Sequence, residues 1–378
     1  MSFTVQPAHL DGYARQVGRA GNDCLVVNAY LGGYPAPSGW GDGALIGLAG
    51  PWHAKATTSA TTALERCSET LFASKAGLAS AASYYRWTDS SAAARMDRSL
   101  ERPRSTDGVT PLERSWAEND CAPSFSDRVG PADRLTDVKD VEFSHPLGFM
   151  DYLSISHWAL TAFDAVFGFN PLERITSELA GDWQAVAQSG VAMGRAAEAL
   201  HDVGYNVQGG AIALRGGWQG AAADGAYLHF RDIATAVADL REPFKEISDK
   251  LAEIAHGVWS ACESLNGLVK ALLDAAIIAG LAAAAGTATA ASGIGAIVGY
   301  GVAGLEIKNM LDIWSRITST ISTLYSVVQL ALGVIETQIA RIDDVAMSRS
   351  SGNLAYHHPF VSQHPQVTPE NPNNAGGR

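Results

Sequence analysis

Positive charge is scarce in this sequence. The 378 residues include 27 Lys and Arg against 39 Asp and Glu, which gives a formal net charge of −12. Proteins that bind nucleic acid present clusters of basic side chains to the phosphates, and no cluster of this kind is interleaved with aromatic residues here. We therefore expect no nucleic-acid partner.

Several chemical signatures are missing as well. The four cysteines show no CxxC spacing, so a zinc site is not predicted. Paired carboxylates, a Ser-His-Asp set, a Cys-His pair and a phosphate-binding loop are not evident either. The N-terminus has neither the basic start nor the apolar run of a secretory signal peptide. We expect no enzyme, no catalytic residue, no metal or cofactor, and no export by the general secretory route.

Helical periodicity dominates what the sequence does contain. Apolar residues repeat at alternating spacings of three and four, which is typical of helices packed along one another. In the first 90 residues these are Leu10, Tyr13, Val17, Ala20, Cys24, Val27, Leu31, Leu64, Leu71, Leu78 and Tyr85. Gly and Pro in 32–43 end the first helix, and Pro51 suits the first turn of the second. Residues 3–90 thus predict a helical hairpin.

A longer pattern follows in the second half. One helix is predicted from about Pro171 to Ala213, and another after the turn Trp218-Gln219-Gly220. Fourteen consecutive packing positions of this second helix are apolar: Ala226, Phe230, Ile233, Val237, Leu240, Phe244, Ile247, Leu251, Ile254, Val258, Ala261, Leu265, Leu268 and Leu272. Pro243 lies beside this series, where we expect it to bend the helix rather than end it.

A third long helix completes the pattern. Its apolar series runs from Ile307 to Val345 and is broken only at Gln338. Two series of this length, joined by a turn region, predict antiparallel packing. The predicted fold class is therefore all-α, with helical hairpins in elongated, four-helix-bundle-like and coiled-coil-like packing.

An uncharged connector, residues 275–305, separates these last two helices. It contains no Asp, Glu, Lys or Arg and is rich in Ala and Gly. Its length is sufficient for a membrane-spanning helix, but Ala, Gly and Thr are only weakly driven into hydrocarbon. Two interpretations stay open: a closely packed soluble tip, or conditional insertion into a membrane.

These patterns divide the chain into four parts. Residues 1–96 form the first hairpin, and 97–146, rich in Pro, Ser and charge, form a linker with short helical pieces. Residues 147–348 form a second helical bundle that includes the connector. The polar tail 349–378 is predicted to be disordered.

The tryptophan turn carries a resemblance. Trp218-Gln219-Gly220 joins two long predicted helices and is followed by the small residues of "AAADGAYLHF". This arrangement resembles the WxG family of type VII (ESX) secretion substrates, over residues 180–265. The first hairpin resembles the Esp-type, secretion-associated relatives, through the Gly-Asp turn of "SGWGDGALIG" (38–47). The second half also resembles the N-terminal trafficking region of long actinobacterial WxG proteins, although no toxin domain follows Val345.

The resemblance implies an export signal. Tyr85 and Asp89 match the family's Tyr-x-x-x-Asp signal at the end of a helix, where residues four apart face the same side. We hypothesise that the two hairpins are the fused halves of a family heterodimer, so that Tyr85 and Asp89 meet Trp218 and Gly220 at one end. In the alternative, Trp218 only fills a turn cavity and Tyr85 is one more packing residue. We expect alanine at Tyr85 or Asp89 to leave the thermal stability nearly unchanged and to stop export.

Cys24 and Cys67 both occupy apolar positions of the first hairpin. A disulfide across the hairpin after export is one interpretation, and two buried free thiols are the other. The long turn between the helices leaves their relative height undetermined.

Composition and resemblance together predict a non-enzymatic type VII secretion substrate or secretion-associated protein. It would be cytoplasmic before export and then secreted or associated with the cell envelope. The implied partners are a secretion-machinery ATPase or chaperone and WxG-type proteins. Two alternatives stay open: a membrane-active, pore-forming protein that uses 275–305, and a cytosolic scaffold or chaperone for such substrates.

Overall fold

The computed structural model describes residues 3–34, 41–103, 108–118, 124–138, 156–288, 294–347 and 355–361. Nearly all of them are helical, so the prediction of an all-α fold is confirmed. The elements in chain order are β1 (Thr4–Val5), α1 (Pro7–Gly32), α2 (Ala44–Trp87), α3 (Ser90–Ser99), α4 (Pro111–Glu118), a 3₁₀ turn (Pro131–Arg134), α5 (His157–Phe167), α6 (Pro171–Leu179), α7 (Trp183–Leu214), β2 (Trp218–Gln219), α8 (Ala221–Asp239), α9 (Arg241–Ala288) and α10 (Ile294–Met347).

Five long helices build the body of the protein in a bundle-like arrangement. Helix α1 packs on α2 and α7, α9 packs on α7 and α10, and α10 also packs on α2. The two predicted hairpins therefore contact each other within one chain. Buried apolar residues of 1–96 and of 147–348 belong to one hydrophobic cluster, so the core does not divide at the predicted boundary.

Most residues of the predicted apolar series fill this core, whereas Ile307, at the start of the α10 series, is 39% exposed. In α8 and α9, Phe230, Phe244 and Leu265 are fully buried, and Ala261 and Leu268 are partly buried against the same cluster. Each large apolar side chain removed from water stabilises the fold by about 1.5–3 kcal/mol. The long helices are thus held mainly by the stripe that their sequence pattern predicts.

Helix α2 begins earlier than predicted. Helix α2 begins at Ala44, seven residues before Pro51, because extended Gly43 starts it against the backbone of Ala180. A side chain at Gly43 would overlap the Ala180 carbonyl. Pro51 therefore lies inside α2, where its ring nitrogen cannot donate to the carbonyl of Gly47.

The helix predicted from Pro171 to Ala213 is in fact two helices, α6 and α7. Gly181, at φ 137°, lies between them, and the Asp182 carboxylate caps α7 by accepting from the amide of Ala185 at 2.9 Å. The helix in which Pro243 is predicted to cause only a bend is also two helices: α8 ends at Asp239 and α9 begins at Arg241. Pro243 therefore lies in the first turn of α9, where a missing N–H is tolerated.

The described part of 97–146 is not a free linker. Trp116 of α4 is buried, its indole N–H donates to the carbonyl of Tyr205 at 2.7 Å, and its ring stacks on the Tyr205 ring. Leu112 and Val138 are buried as well. Polar composition misled the prediction, because a few large apolar side chains suffice to dock these short pieces onto α7.

The tail prediction is wrong for residues 355–361, which we call the C-terminal segment. Tyr356, His358 and Phe360 of this segment are buried against the helices. Residues 139–155, 289–293, 348–354 and 362–378 lie outside the described residues, as do Cys121 and residues 38–40 of the predicted Gly-Asp turn.

Candidate functional site

The tryptophan turn, Trp218-Gln219-Gly220, is held in place by residues near the start of the chain. Trp218 and Gln219 pair antiparallel with Val5 and Thr4, with Val5 opposite Trp218. The amide of Gln6 also donates to the carbonyl of Gly217 at 2.7 Å. The turn between α7 and α8 is therefore held by backbone hydrogen bonds from a distant part of the sequence.

Gly220 ends this turn in a conformation that glycine adopts most easily. Its φ is 140°, and a side chain there would overlap the carboxylate of Asp97. Asp97, from α3, accepts from the amides of Ala221 and Ala222 at 2.8 and 2.9 Å. A side chain from another helix thus caps α8, and its negative charge lies at the positive, N-terminal end of the α8 dipole. Sequence reasoning missed Asp97, although a helix that starts "GAAAD" without its own capping side chain was a signal.

Tyr85 lies directly against Trp218. The two ring centroids are 5.9 Å apart at an interplanar angle of 70°, an edge-to-face contact. Both side chains are buried, with Trp218 only 1% and Tyr85 only 7% exposed. Burial raises the pKa of Tyr85, so the phenol is neutral; the nearby indole N–H of Trp218 opposes this rise without reaching hydrogen-bond geometry.

The C-terminal segment closes over this pair. The His358 ring lies 6.1 Å from the Trp218 ring in a stacked orientation, and its Nε2 is 2.8 Å from the Tyr85 hydroxyl. Because His358 Nδ1 accepts from the amide of Phe360, Nε2 carries the proton and donates to Tyr85. Burial lowers the pKa of His358 to about 4, so the ring is neutral around pH 7.

Asp89 does not share a helix face with Tyr85, contrary to the prediction. Helix α2 ends at Trp87, and Asp89 is the exposed N-cap of α3. Its carboxylate accepts from the Ser91 hydroxyl and from the amides of Ser91 and Ala92, and these hydrogen bonds lower its pKa. Asp89 is therefore a surface carboxylate held in a fixed position.

The structure thus brings together part of the predicted set. Tyr85 and Trp218 are in contact, and Gly220 adjoins Asp97 from α3, the helix that Asp89 caps. The expectation that Tyr85→Ala leaves stability unchanged is wrong, because removing a buried ring leaves a cavity under Trp218 and His358.

Beside the turn lies a surface cleft of about 600 Å³. Its lining residues are Arg102, Ile212, Arg215, Gly216, Trp218, Gln219, Gly220, Ala223 and Asp224. Arg102 forms an ion pair with Asp224 at 3.7 Å, so the rim is polar while the indole forms part of the base. The described residues contain no group of three or more His, Cys, Asp or Glu side chains placed to hold a metal ion.

Cys24 and Cys67 are not joined by a disulfide in this structure. Gly21 of α1 faces the Phe72 ring and Gly18 faces Lys75, so Cys24 lies at the height of Cys67 on antiparallel α2. Burial raises the pKa of Cys24, and the neighbouring Cys67 adds to the rise, which leaves the Cys24 thiol protonated and unreactive.

No protein-family model, curated protein or solved structure matches this chain.

Proposed function

We propose that this protein is a non-enzymatic substrate or secretion-associated protein of a type VII secretion system. The observation that carries the proposal is the contact between Tyr85, at the end of one hairpin, and Trp218, in the turn of the other. An export signal composed of two distant motifs requires that the motifs share one corner of the folded chain. Here they do so through a buried aromatic pair.

The buried pair and the surface around it would have different tasks. Tyr85 and Trp218 are too deeply buried to be read directly and instead fix the geometry of the corner. The groups that a secretion ATPase, chaperone or WxG-type partner would touch are the exposed carboxylate of Asp89, the Trp87 ring, which is 88% exposed, and the cleft beside Gln219. Exposed aromatic and charged groups around a rigid corner suit recognition by another protein.

The substitution Asp89→Asn distinguishes a role of the Asp89 charge in partner recognition from the role of this residue as the N-cap of α3. Asparagine caps a helix about as well as aspartate, so α3 should persist while the charge is lost. We expect export of this variant to fall at least about tenfold, a discrimination of about 1.4 kcal/mol in partner binding. The measurement is the ratio of culture-filtrate to cell-associated protein in an actinobacterial host with an active type VII system.

The matched control is Asp182→Asn. Asp182 is also an exposed N-cap carboxylate, but it starts α7. Its replacement should leave export at the parent level. Equal export of the parent and Asp89→Asn proteins would show that the Asp89 charge is not read.

A second candidate function, contact with a membrane, is favoured by the uncharged tip of the α9–α10 hairpin. Two helical stretches, Ala221–Ala288 and Gly301–Val345, are long and apolar enough to cross a bilayer by length and composition. Both also supply buried residues to the core. The candidate contact is therefore the tip, where the exposed apolar side chains among those described include Ile278, Leu281, Val302 and Leu305.

The dimensions of the tip favour shallow insertion over a full crossing. From Asp274 to the end of α9, the uncharged arm is about 20 Å long at 1.5 Å per residue, and the bilayer hydrocarbon core is about 30 Å thick. The arm that ends at Glu306 is of similar length. Both acidic groups would thus remain near the headgroups while the tip enters one leaflet.

Leu305→Asp tests this second function. Leu305 is 71% exposed, so aspartate should leave the fold intact but disfavour entry of the tip into hydrocarbon. If the tip binds membranes, the parent should co-sediment with phosphatidylcholine vesicles, and Leu305→Asp should lower the bound fraction about tenfold or more. Leu330→Asp, at a leucine of α10 that is 74% exposed but remote from the tip, is the control. Absence of parental binding, or equal losses in both variants, would eliminate membrane contact through the tip.

A further inference from the structure

The C-terminal segment lies in a groove that it fills like a bound peptide. Along it, burial alternates: Tyr356, His358 and Phe360 are buried, while His357 between the first two is exposed. The segment ends in a turn, in which the amide of Val361 donates to the carbonyl of His358 at 3.1 Å, and the three buried side chains all face the helices. The floor of the groove comes from α2, β2 and α8.

Aromatic contacts hold the buried side chains in the groove. The Tyr356 ring lies 5.5 Å from the Phe230 ring and 6.5 Å from the Trp218 ring. The His358 ring contacts Tyr84, Tyr85 and Trp218, and Phe360 contacts Tyr84. No charged side chain of the segment takes part, since 355–361 contains no Asp, Glu, Lys or Arg.

The backbone of the C-terminal segment passes close to α2 at Gly77, and we call this position the notch. The amide of Tyr356 donates to the buried hydroxyl of Ser74 at 3.0 Å, and the carbonyl of Tyr356 lies over Gly77, one turn further along. A methyl group on Gly77 would overlap that carbonyl oxygen. A glycine inside a long helix is intrinsically unfavourable, and here it makes room for the passing chain.

The fit is incomplete in its polar groups. The Trp218 indole N–H and the Tyr356 hydroxyl are both buried and have no hydrogen-bond partner among the described residues. Buried polar groups without partners are costly, so the segment is held less tightly than its aromatic contacts alone would predict. A competing peptide with a hydrogen-bond acceptor placed for the Trp218 indole N–H would gain a hydrogen bond that the C-terminal segment does not make.

We propose that this groove is a peptide-binding site, that the C-terminal segment is its intramolecular ligand, and that an uncharged peptide with aromatic side chains at alternate positions can displace it. Displacement would uncover the Tyr85–Trp218 pair. The assignment of the displacing peptide to the export machinery rests on the function proposed above. The peptide-binding groove itself does not depend on that function.

A synthetic peptide with the sequence LAYHHPFVS tests the groove in trans. In the full chain carrying Tyr356→Ala and Phe360→Ala, the resident segment loses two of its three buried ring side chains and the groove becomes available. We expect the labelled peptide to bind this double variant at least about tenfold more tightly than the parent. In the parent, the tethered segment competes at a high effective concentration.

Gly77→Ala, added to the double variant, should abolish peptide binding because the methyl group fills the notch. Gly47→Ala is the matched control, since Gly47 also lies in α2 but a methyl group there meets no atom within 4 Å. Alanine favours the helix at both positions, so loss of fold is not the expected cause of a difference. Peptide binding that is equal in the parent and the double variant, or unaffected by Gly77→Ala, would overturn the proposal.

Thiol labelling of Ser74→Cys gives a second measurement in a chain with an unaltered C-terminal segment. Ser74 is fully buried beneath Tyr356, so its labelling reports opening of the segment. Gly77→Ala should accelerate labelling at least about tenfold, and Gly47→Ala should not; equal rates would contradict a displaceable segment. Retention of the unaltered protein in the cells alongside specific peptide binding would reject the export function alone, whereas export of the unaltered protein without peptide binding would reject the groove alone.

Discussion

Replacing Trp218 with alanine is expected to lower the free energy of unfolding by about 3–5 kcal/mol. Trp218 is among the largest fully buried side chains, and it packs against Tyr85 of α2 and against Tyr356 and His358 of the C-terminal segment, two parts of the sequence that are distant from it. Truncation would leave a cavity that these three rings could only partly fill. Because small folded domains are stable by about 5–15 kcal/mol in total, the loss should be visible in a urea or guanidinium titration followed by circular dichroism.

Trp87→Ala is the control for this prediction. Its ring is 88% exposed, and truncation should change the free energy of unfolding by no more than about 0.5 kcal/mol. A Trp218→Ala protein as stable as Trp87→Ala would mean that the corner is not a packed aromatic cluster. In that case neither the export proposal nor the peptide groove would have a structural basis.

The second large effect is expected at Asp97. Its carboxylate, only 4% exposed, accepts from the first two amides of α8, which lie far from it in sequence. Asp97→Ala leaves both amides without this acceptor, and each unsatisfied buried donor costs about 1–3 kcal/mol, so we expect a loss of about 2–6 kcal/mol. Denaturant titration measures the total, and hydrogen exchange should show the loss of protection concentrated at the start of α8.

Asp97→Asn distinguishes the loss of the capping hydrogen bonds from the loss of side-chain volume. Asparagine keeps one carbonyl oxygen as an acceptor but turns an amide group toward the second N–H, so its loss should fall between those of the parent and Asp97→Ala. Equal, negligible losses for both variants would indicate that α8 is capped by other groups. A loss in Asp97→Asn larger than in Asp97→Ala would point to steric conflict with Gly220 instead.

The long helices could be predicted from the sequence because their apolar stripes obey one local rule. A residue such as Phe244 or Leu265 is buried wherever a second helix covers its face, whichever helix that is. Short-range sequence signals also indicate where α2 ends. "DSSAAA" marks Asp89 as the start of a new helix and so ends α2 before it, which rules out a shared face with Tyr85.

The remaining features depend on tertiary contacts. Nothing near Asp97 indicates that it caps a helix that starts more than a hundred residues later. Gly77 gives no sign by itself that a chain passes over it. The C-terminal segment offered one signal, alternating aromatic and imidazole groups in "YHHPF", but its polar surroundings predicted disorder, and the decisive partners Ser74 and Trp218 lie elsewhere.

The central claim is that this chain is exported as a folded recognition substrate by a type VII system. Its most direct measurement is culture-filtrate fractionation of the unaltered chain in two matched actinobacterial hosts, one with an active secretion ATPase and one with an inactivated ATPase. We predict that the protein accumulates in the filtrate of the first host and stays with the cells of the second. Retention in both hosts, or equal release from both, would contradict the account.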